Sequence, residues 1–343
     1  HSRDNRASSR TATDSSCVPH ILLVKTSSMG DVVHNLPVVA DLRARLPDCR
    51  IDWIVERAFS AIPGLHPGVD RIIPVSIRHW RKHPFAATTR HEIAELRKHL
   101  RQTHYDDVID SQGLLKSALL TWMARGRRHG FDWKSSREPL QMLYDKVYEV
   151  SWSIHAVERN RCLAARALGY AAAAAPDYGL TPPPASTTAF DSADFISGND
   201  EIAVLLHATS AATKEWPEAN WIRLGADLAA RGLISVLPFG NARELERSER
   251  LVALIAGAKV PPALSLQQLA ALMSRARIVV GVDTGLTHLA VALGRPTIGV
   301  YCATDPAATG LYGAVRALNL GSPGTTPSAE DVCSAITRLL KDN

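Results

Sequence analysis

The stretch "VKTSSMGDVVHNLP", residues 24–37, places a carboxylate, Asp31, and a histidine, His34, where a strand turns into a helix. Gly30 comes just before Asp31, and glycine lets a backbone or a substrate approach closely. A carboxylate there can take a proton from a hydroxyl whose oxygen attacks an electrophilic carbon, worth about 10²–10⁴-fold in rate. His34, one helical turn on, shares that task or orients Asp31; the plainer alternative is that Asp31 only caps the helix. Three further strand ends carry another kind of group. "RIVVGVDTGLTHLAVALGRPTIGVY" (277–301) ends a buried run at Asp283, opens a helix with Thr284 and Gly285, and puts His288 in the first turn. The free N–H groups and positive dipole end of a helix start seat phosphate. A capping role for Asp283 or Thr284, with His288 in the core, reads as well. "LLHATSAATKEWP" (205–217) supplies the hydroxyls of Thr209 and Ser210 and then Lys214. That cation neutralises a diphosphate, or it is a surface lysine. In "LPFGNARELE" (237–246), Glu244 follows Gly240 and either accepts bonds from sugar hydroxyls or complements the helix dipole. Three such ends in one half favour a nucleotide-sugar pocket.

The elements that must position these groups alternate between strand-like and helical runs. In the first half the strand-like runs are "HILLVK", "RIDWIVE", "DRIIPV" and "DDVID". In the second they are "EIAVLLH", "GLISVLPFG", "ARIVVGVD" and "RPTIGVYC", and residues 91–103 and 266–275 read as helices between strands. Alternation of this kind builds parallel βαβ units. The expected fold is α/β, with two Rossmann-like domains facing each other across a cleft and ligands at the carboxyl ends of the strands. Residues 1–18 read as a disordered polar tail, 19–180 as the first domain and 181–200, within an Ala/Pro/Ser-rich stretch, as a linker. Residues 201–326 form the second domain, and 327–343 a terminal helix opened by Ser328 and Asp331.

Composition narrows the chemistry by exclusion. At 343 residues, 46% hydrophobic and 21% charged, the chain suits two folded domains rather than a disordered polymer. Five scattered cysteines without C-x-x-C argue for reduced thiols and a cytoplasmic location. No apolar run reaches spanning length, and the tail lacks a signal-peptide core. There is no G-x-G-x-x-G after the first strand, no P-loop motif, no D-x-D and no metal-ligand spacing among the histidines. No cofactor and no metal are therefore expected. Between Arg71 and His104, eight Lys/Arg and five His face only Glu92 and Glu95. Such a basic face suits nucleic acid, an anionic membrane or a phosphorylated substrate, or is merely solvated. No zinc-finger, RRM or aromatic-interleaved basic signature supports nucleic acid.

Taken in order, "ILLVKTSSMGDVVHNLP", "IRHWRKHP", "DSQGLLKSAL", "HGFDWKSSREPL", "HAVERNR", "HATSAATKEWPEANW" and "VDTGLTHLAVALGRPT" resemble the bacterial lipopolysaccharide heptosyltransferases from about residue 20 onward. "KTSSMGD" with "RHWRK" and "REPL" favours the first of these enzymes over the second. The resemblance implies a GT-B fold, an ADP-heptose donor, the Kdo sugar of Kdo-lipid A as acceptor, and inverting transfer without an obligatory metal. By matching motifs it makes Asp31 the general base. Thr209, Ser210, Lys214, Glu244, Leu264, Asp283, Thr284, Gly285 and His288 become the donor site, with Lys214 also stabilising the leaving diphosphate. Ser28, Gly30, Arg78, Arg81, Lys82, Lys116 and Arg137 become acceptor groups, which gives the basic face a use and implies peripheral attachment to the anionic inner membrane. Leu264 stands where the family often has methionine, Ser210 where it has threonine, and Cys302–Ala303 where Gly-Pro is expected. A related heptosyltransferase with another inner-core acceptor would share the donor site and differ only in acceptor groups.

Overall fold

The structure, a computed structural model, describes residues 18–183, 195–196, 199–209 and 211–341. All of the expected tail but Val18, most of the expected linker, and Ser210 lie outside the described residues. The first sheet has six parallel strands: β1 (His20–Val24), β2 (Arg50–Glu56), β3 (Arg71–Val75), β4 (His104–Asp110), β5 (Arg125–Phe131) and β6 (Lys146–Tyr148). They lie in the order β3-β2-β1-β4-β5-β6. The second has β7 (Ile202–Leu206), β8 (Ile234–Val236), β9 (Ile278–Val282), β10 (Thr297–Val300) and β11 (Ala317–Leu320). Their order is β11-β10-β9-β7-β8, again all parallel. A parallel bridge from Val236 to Lys259 stands beyond β8. The second sheet thus repeats the order of the first, with one strand reduced to a residue pair.

Ile21–Val24 and Ile278–Val282 are buried throughout, as central strands covered on both faces must be. Helices Ile77–Lys82, Ala87–Gln102 and Leu115–Met123 cover one face of the first sheet, where Ile77, Leu96, Leu100 and Leu120 meet Leu22, Val24 and Val108. Helices Leu36–Arg45 and Ala156–Leu168 cover the other, and buried Arg161 clamps Asp41 across them at 2.8 and 3.0 Å. The terminal helix Ala329–Lys341 packs Val332 and Ile336 on the second sheet's Ile298 and on Leu224 of helix Glu218–Ala230. One apolar cluster runs through both halves, from Val32, Val33 and Leu36 to Leu272, Leu289 and Ala290.

Four features differ from the pattern read in the sequence. The apolar spacing after Gly30 suggests one helix, but two form, Met29–Val33 and Leu36–Arg45. Pro37 has no N–H to offer the carbonyl of Val33, so the first helix stops there. Strand β5, "RGRRHGF", looks too polar for a sheet interior. It is accommodated because Asp145 takes Arg128 at 2.6 and 2.9 Å, and Asp107 takes His129 at 2.8 Å. Strands β6 and β11 are short sheet edges of three and four residues, with too little length for periodicity to register.

In both sheets the strand order reverses at one point, beside β1 in the first and beside β7 in the second. Crevices open outside the carboxyl ends of strands at such reversals. The chain leaves β1 toward Asp31, and it leaves β7 and β9 toward Lys214 and Asp283.

Candidate active site

The two halves meet through helix starts. Gly30 lies against Gly285, the first residue of helix Gly285–Ala292. A methyl group on Gly285 would stand 2.6 Å from Met29 Cβ and 2.9 Å from the Gly30 nitrogen; one on Gly30 would stand 3.3 Å from His288 Cδ2. Glycine at both positions is what permits the approach.

Asp31 is the third residue of its helix, and Ser28 occupies the cap position. The Ser28 N–H and hydroxyl donate to Asp31 Oδ2 at 2.7 and 2.9 Å, while Oδ1 makes no hydrogen bond among the described residues. The capping and the chemical readings of Asp31 are therefore compatible, because each uses a different oxygen. The turn before it is held firmly. Gln112 Oε1 accepts the N–H groups of Thr26 and Ser27 at 3.1 Å each, and Lys116 Nζ donates to Ser27 Oγ at 2.6 Å.

Asp31 lines a cavity of 240 Å³ with Lys25, Arg137, Trp152, Arg159 and Asn160. Lys25 is buried and donates to the Ser111 carbonyl at 2.7 Å and to Asn160 Oδ1 at 3.3 Å. Burial lowers its pKa, and Asp31 and Asp110 oppose that shift. Arg159 lies 3.7 Å over the Trp152 ring and donates to the carbonyls of Ser135, Val150 and Ser151. Burial, with Arg137 nearby, brings its pKa down to about 10. The sequence reading did not single out Lys25, Gln112, Arg159 or Asn160. For Lys25 a signal existed, an apolar strand closing on a lysine in "HILLVK".

Thr209, Glu244, Leu264 and Thr284 line a second cavity, of 420 Å³, with Met29, Phe239 and Asn241. Glu244 is already engaged: Oε2 accepts the Gly240 N–H at 2.7 Å and Oε1 the Asn241 amide at 2.8 Å. Lys214 Nζ donates to Asp283 Oδ2 at 2.6 Å, Thr304 Oγ1 donates to the same oxygen at 2.7 Å, and Thr209 Oγ1 donates to the Asp283 carbonyl at 3.2 Å. Burial alone would push the Asp283 carboxyl up. His288, Lys214 and Thr304 instead hold it well below the usual carboxylate range, and it stays ionised. His288 Nε2 stands 3.9 Å from Asp283 Oδ1, an ion-pair distance too long for a hydrogen bond. Its Nδ1 lies 3.3 Å from Nε2 of His34 in the other half. Burial, then His288 and His155, push His34 well below the ordinary imidazole range, so it is neutral.

The exposed helix Ile77–Lys82 carries Arg78, Arg81 and Lys82, and the Arg78 guanidinium lies 5.3 Å over the Phe59 ring. Burial lowers the pKa of Lys116, and Glu56, Arg78, Asp31 and Arg81 all act on it, so these groups share one neighbourhood. Arg137 is exposed, 6.0 Å over the Trp152 ring.

Two parallel-sheet halves that meet at helix starts, with a carboxylate on a cavity wall in one and an ion pair beside a helix start in the other, make the frame of a GT-B glycosyltransferase. Comparison with known proteins agrees. The pattern of glycosyltransferase family 9 (heptosyltransferase) matches residues 93–336. Lipopolysaccharide heptosyltransferase 1 of Escherichia coli (strain K12) is 44% identical over 296 residues, covering 85% of this chain and 91% of that one. Among solved structures, E. coli heptosyltransferase WaaC with ADP superposes with a TM-score of 0.85 at 40% identity, covering 93% of this chain and 99% of that one. WaaC with ADP-2-deoxy-2-fluoro heptose gives 0.80 at 40% identity, with 94% and 99% covered. The chain belongs to glycosyltransferase family 9 and is a glycosyltransferase.

Proposed function

We propose that this protein transfers L-glycero-D-manno-heptose from ADP-heptose to the Kdo sugar of Kdo-lipid A, with inversion, in assembly of the lipopolysaccharide inner core. The observation that carries this reading is Oδ1 of Asp31, which makes no hydrogen bond among the described residues and lies beside the Gly30–Gly285 contact, on the wall of one of the two cavities. The similarity to lipopolysaccharide heptosyltransferase 1, and to a structure holding a fluorinated ADP-heptose, supports the choice of donor.

In this reading Asp31 Oδ1 takes the proton of the acceptor hydroxyl as that oxygen attacks the anomeric carbon. The carbon–oxygen bond to the diphosphate breaks on the opposite face, so the anomeric configuration inverts. ADP departs with its new charge facing Lys214 and the N–H groups at Thr284 and Gly285, an arrangement fixed before the reaction begins. Lys214 then exchanges or shares Asp283 with the diphosphate. Thr209, Ser210, Glu244, Leu264 and His288 complete the donor side. Ser28, Gly30, Arg78, Arg81, Lys82, Lys116 and Arg137 face the acceptor, whose carboxylates and phosphates suit a cationic surround. Among the described residues no helix is long and apolar enough to cross a membrane. A lipid acceptor calls for peripheral attachment at the cytoplasmic face of the inner membrane.

The test is ADP release from ADP-heptose and Kdo-lipid A by native protein and by Asp31→Asn. The variant keeps the Ser28 contacts, so its melting and donor affinity should match the native protein while turnover falls about 10²-fold or more. Equal turnover would leave Asp31 a capping residue. Faster turnover of a heptose-bearing acceptor than of Kdo-lipid A would move the assignment to a related heptosyltransferase.

A further inference from the structure

We propose that the outer side of helix Leu115–Met123, together with the cationic helices beside it, docks on the surface of an anionic lipid bilayer. This rests on the reading above only in supposing a lipid-linked acceptor; the surface itself is argued from the fold. Leu115, Leu119 and Trp122 follow one another at helical spacing and fall within a stripe of about 60°. They are 51%, 45% and 47% exposed, while Ser117, Leu120 and Thr121 on the other side are buried. A helix on a protein surface turns its apolar side inward and leaves a polar one outside. This helix turns Leu120 inward with Ser117 and Thr121, and leaves three of its larger apolar side chains outside. Met142, 93% exposed, extends the patch from the turn whose neighbours Leu140, Leu143 and Tyr144 pack on Ala118. Among the described residues the second half of the chain exposes only Leu254 and Val315 of comparable character.

Charge decides what covers the stripe. Helices Ile77–Lys82, Ala87–Gln102 and Leu115–Met123 bury their inner sides in the same apolar cluster, so their outer sides form one layer. On it Arg81 and Lys82 are exposed, and Arg90, Arg97, Lys98 and Arg101 surround Ile93 and Ala94 in a shallow groove. None of these six cations pairs with a carboxylate among the described residues. A half-exposed tryptophan and leucines bordered by unpaired Lys/Arg match the interface of an anionic bilayer, where apolar groups enter the headgroup zone and cations meet lipid phosphates. A second copy of the chain would set these cations against one another. A polyanion without an apolar zone would leave the stripe uncovered. Position agrees as well, because the helix begins at the acceptor side: Leu114 lines the Asp31 cavity, and Lys116 holds Ser27. A protein docked by this layer brings that cavity to the surface from which a lipid headgroup rises.

The experiment is co-sedimentation of the full chain with vesicles of phosphatidylethanolamine and phosphatidylglycerol, against vesicles of phosphatidylcholine alone. Two double variants are compared, Leu119→Gln with Trp122→Gln, and Lys98→Gln with Arg101→Gln. Native protein should prefer the anionic vesicles. The apolar pair should lose about tenfold in affinity at low and high salt alike. The cationic pair should lose about fivefold per charge at low salt, an effect that high salt removes. Turnover of an acceptor freed of its acyl chains should be unchanged in both. Native-like vesicle binding by the Leu119/Trp122 variant overturns the proposal, as does a native dimer that this variant splits. Turnover of the soluble acceptor without vesicle binding defeats the docking surface alone; vesicle binding without turnover of any acceptor defeats the proposed function and leaves the surface standing.

Discussion

Replacing Lys214 by alanine separates the ion pair it makes with Asp283 from the leaving-group role proposed for it. Lys214 lies 2.6 Å from Asp283 Oδ2, with the two side chains 30% and 13% exposed. Two unit charges about 4 Å apart attract by about 4 kcal/mol at an effective dielectric near 20. Screening at a partly open site, and the side-chain entropy lost, reduce the net worth of the pair to about 1–2 kcal/mol. Thr304 still donates to the same oxygen at 2.7 Å, so Asp283 is not left bare. Lys214→Ala should therefore lower Tm by only a few degrees. Catalysis should suffer more, because a donor set against charge that develops in the transition state is worth about 10²–10³-fold in kcat. Asp283→Asn supplies the control: it removes the competing charge and keeps an oxygen for Thr304. In that background Lys214→Ala should still cost about 10²-fold in kcat, read as ADP release at saturating ADP-heptose. If the double variant turns over as fast as Asp283→Asn alone, Lys214 acts only by pairing with Asp283, and the leaving-group assignment is wrong.

Three further outcomes follow from buried charged groups and from the glycine contact. Arg161→Met strands the buried Asp41 carboxylate, so unfolding in urea should show a loss of about 3–5 kcal/mol, and adding Asp41→Leu should restore much of it. His66, His155 and His207 are each brought to about 4 by burial, so between pH 6.5 and 4 the unfolded chain binds protons that the native one refuses. Stability should therefore fall as pH drops through that window, on the order of 2 kcal/mol per histidine. A urea midpoint that rises from pH 7 to pH 5 would contradict this. Gly285→Ala drives a methyl group against Met29 and the Gly30 backbone, so kcat/KM should fall more than tenfold while urea unfolding stays cooperative. Unchanged kinetics would show that the contact between helix starts does not matter to the reaction.

The central strands were readable because burial on both faces writes them as continuous apolar runs, as in "HILLVK" and "ARIVVGVD". Strand β5 was not, because Arg128 and His129 find their partners in Asp145 and Asp107, residues 17 and 22 positions away. The strand ends with candidate chemistry stand out one at a time, since each carries a polar group where an apolar run stops. Their mutual arrangement does not. Nothing local says that Lys214 reaches Asp283, or that His288 meets His34 across 254 residues. Lys25 went unremarked because a terminal lysine on a strand is ordinary; only the fold shows it buried, with Ser111 and Asn160 for partners.

The glycine pair at the junction has a mechanical consequence. Neither Gly30 nor Gly285 brings a side chain of its own to the contact, which leaves the two backbones touching at a point flanked by Met29 and His288. Turning one half against the other by about 10° around such a fulcrum displaces a group ~5 Å away by only about 1 Å, but carries a rim ~25 Å away by more than 4 Å. Asp31 follows Gly30 directly, so it sits next to the fulcrum. A turn about this contact would open the cleft at its rim while the groups beside the glycine pair, Asp31 among them, keep their separation.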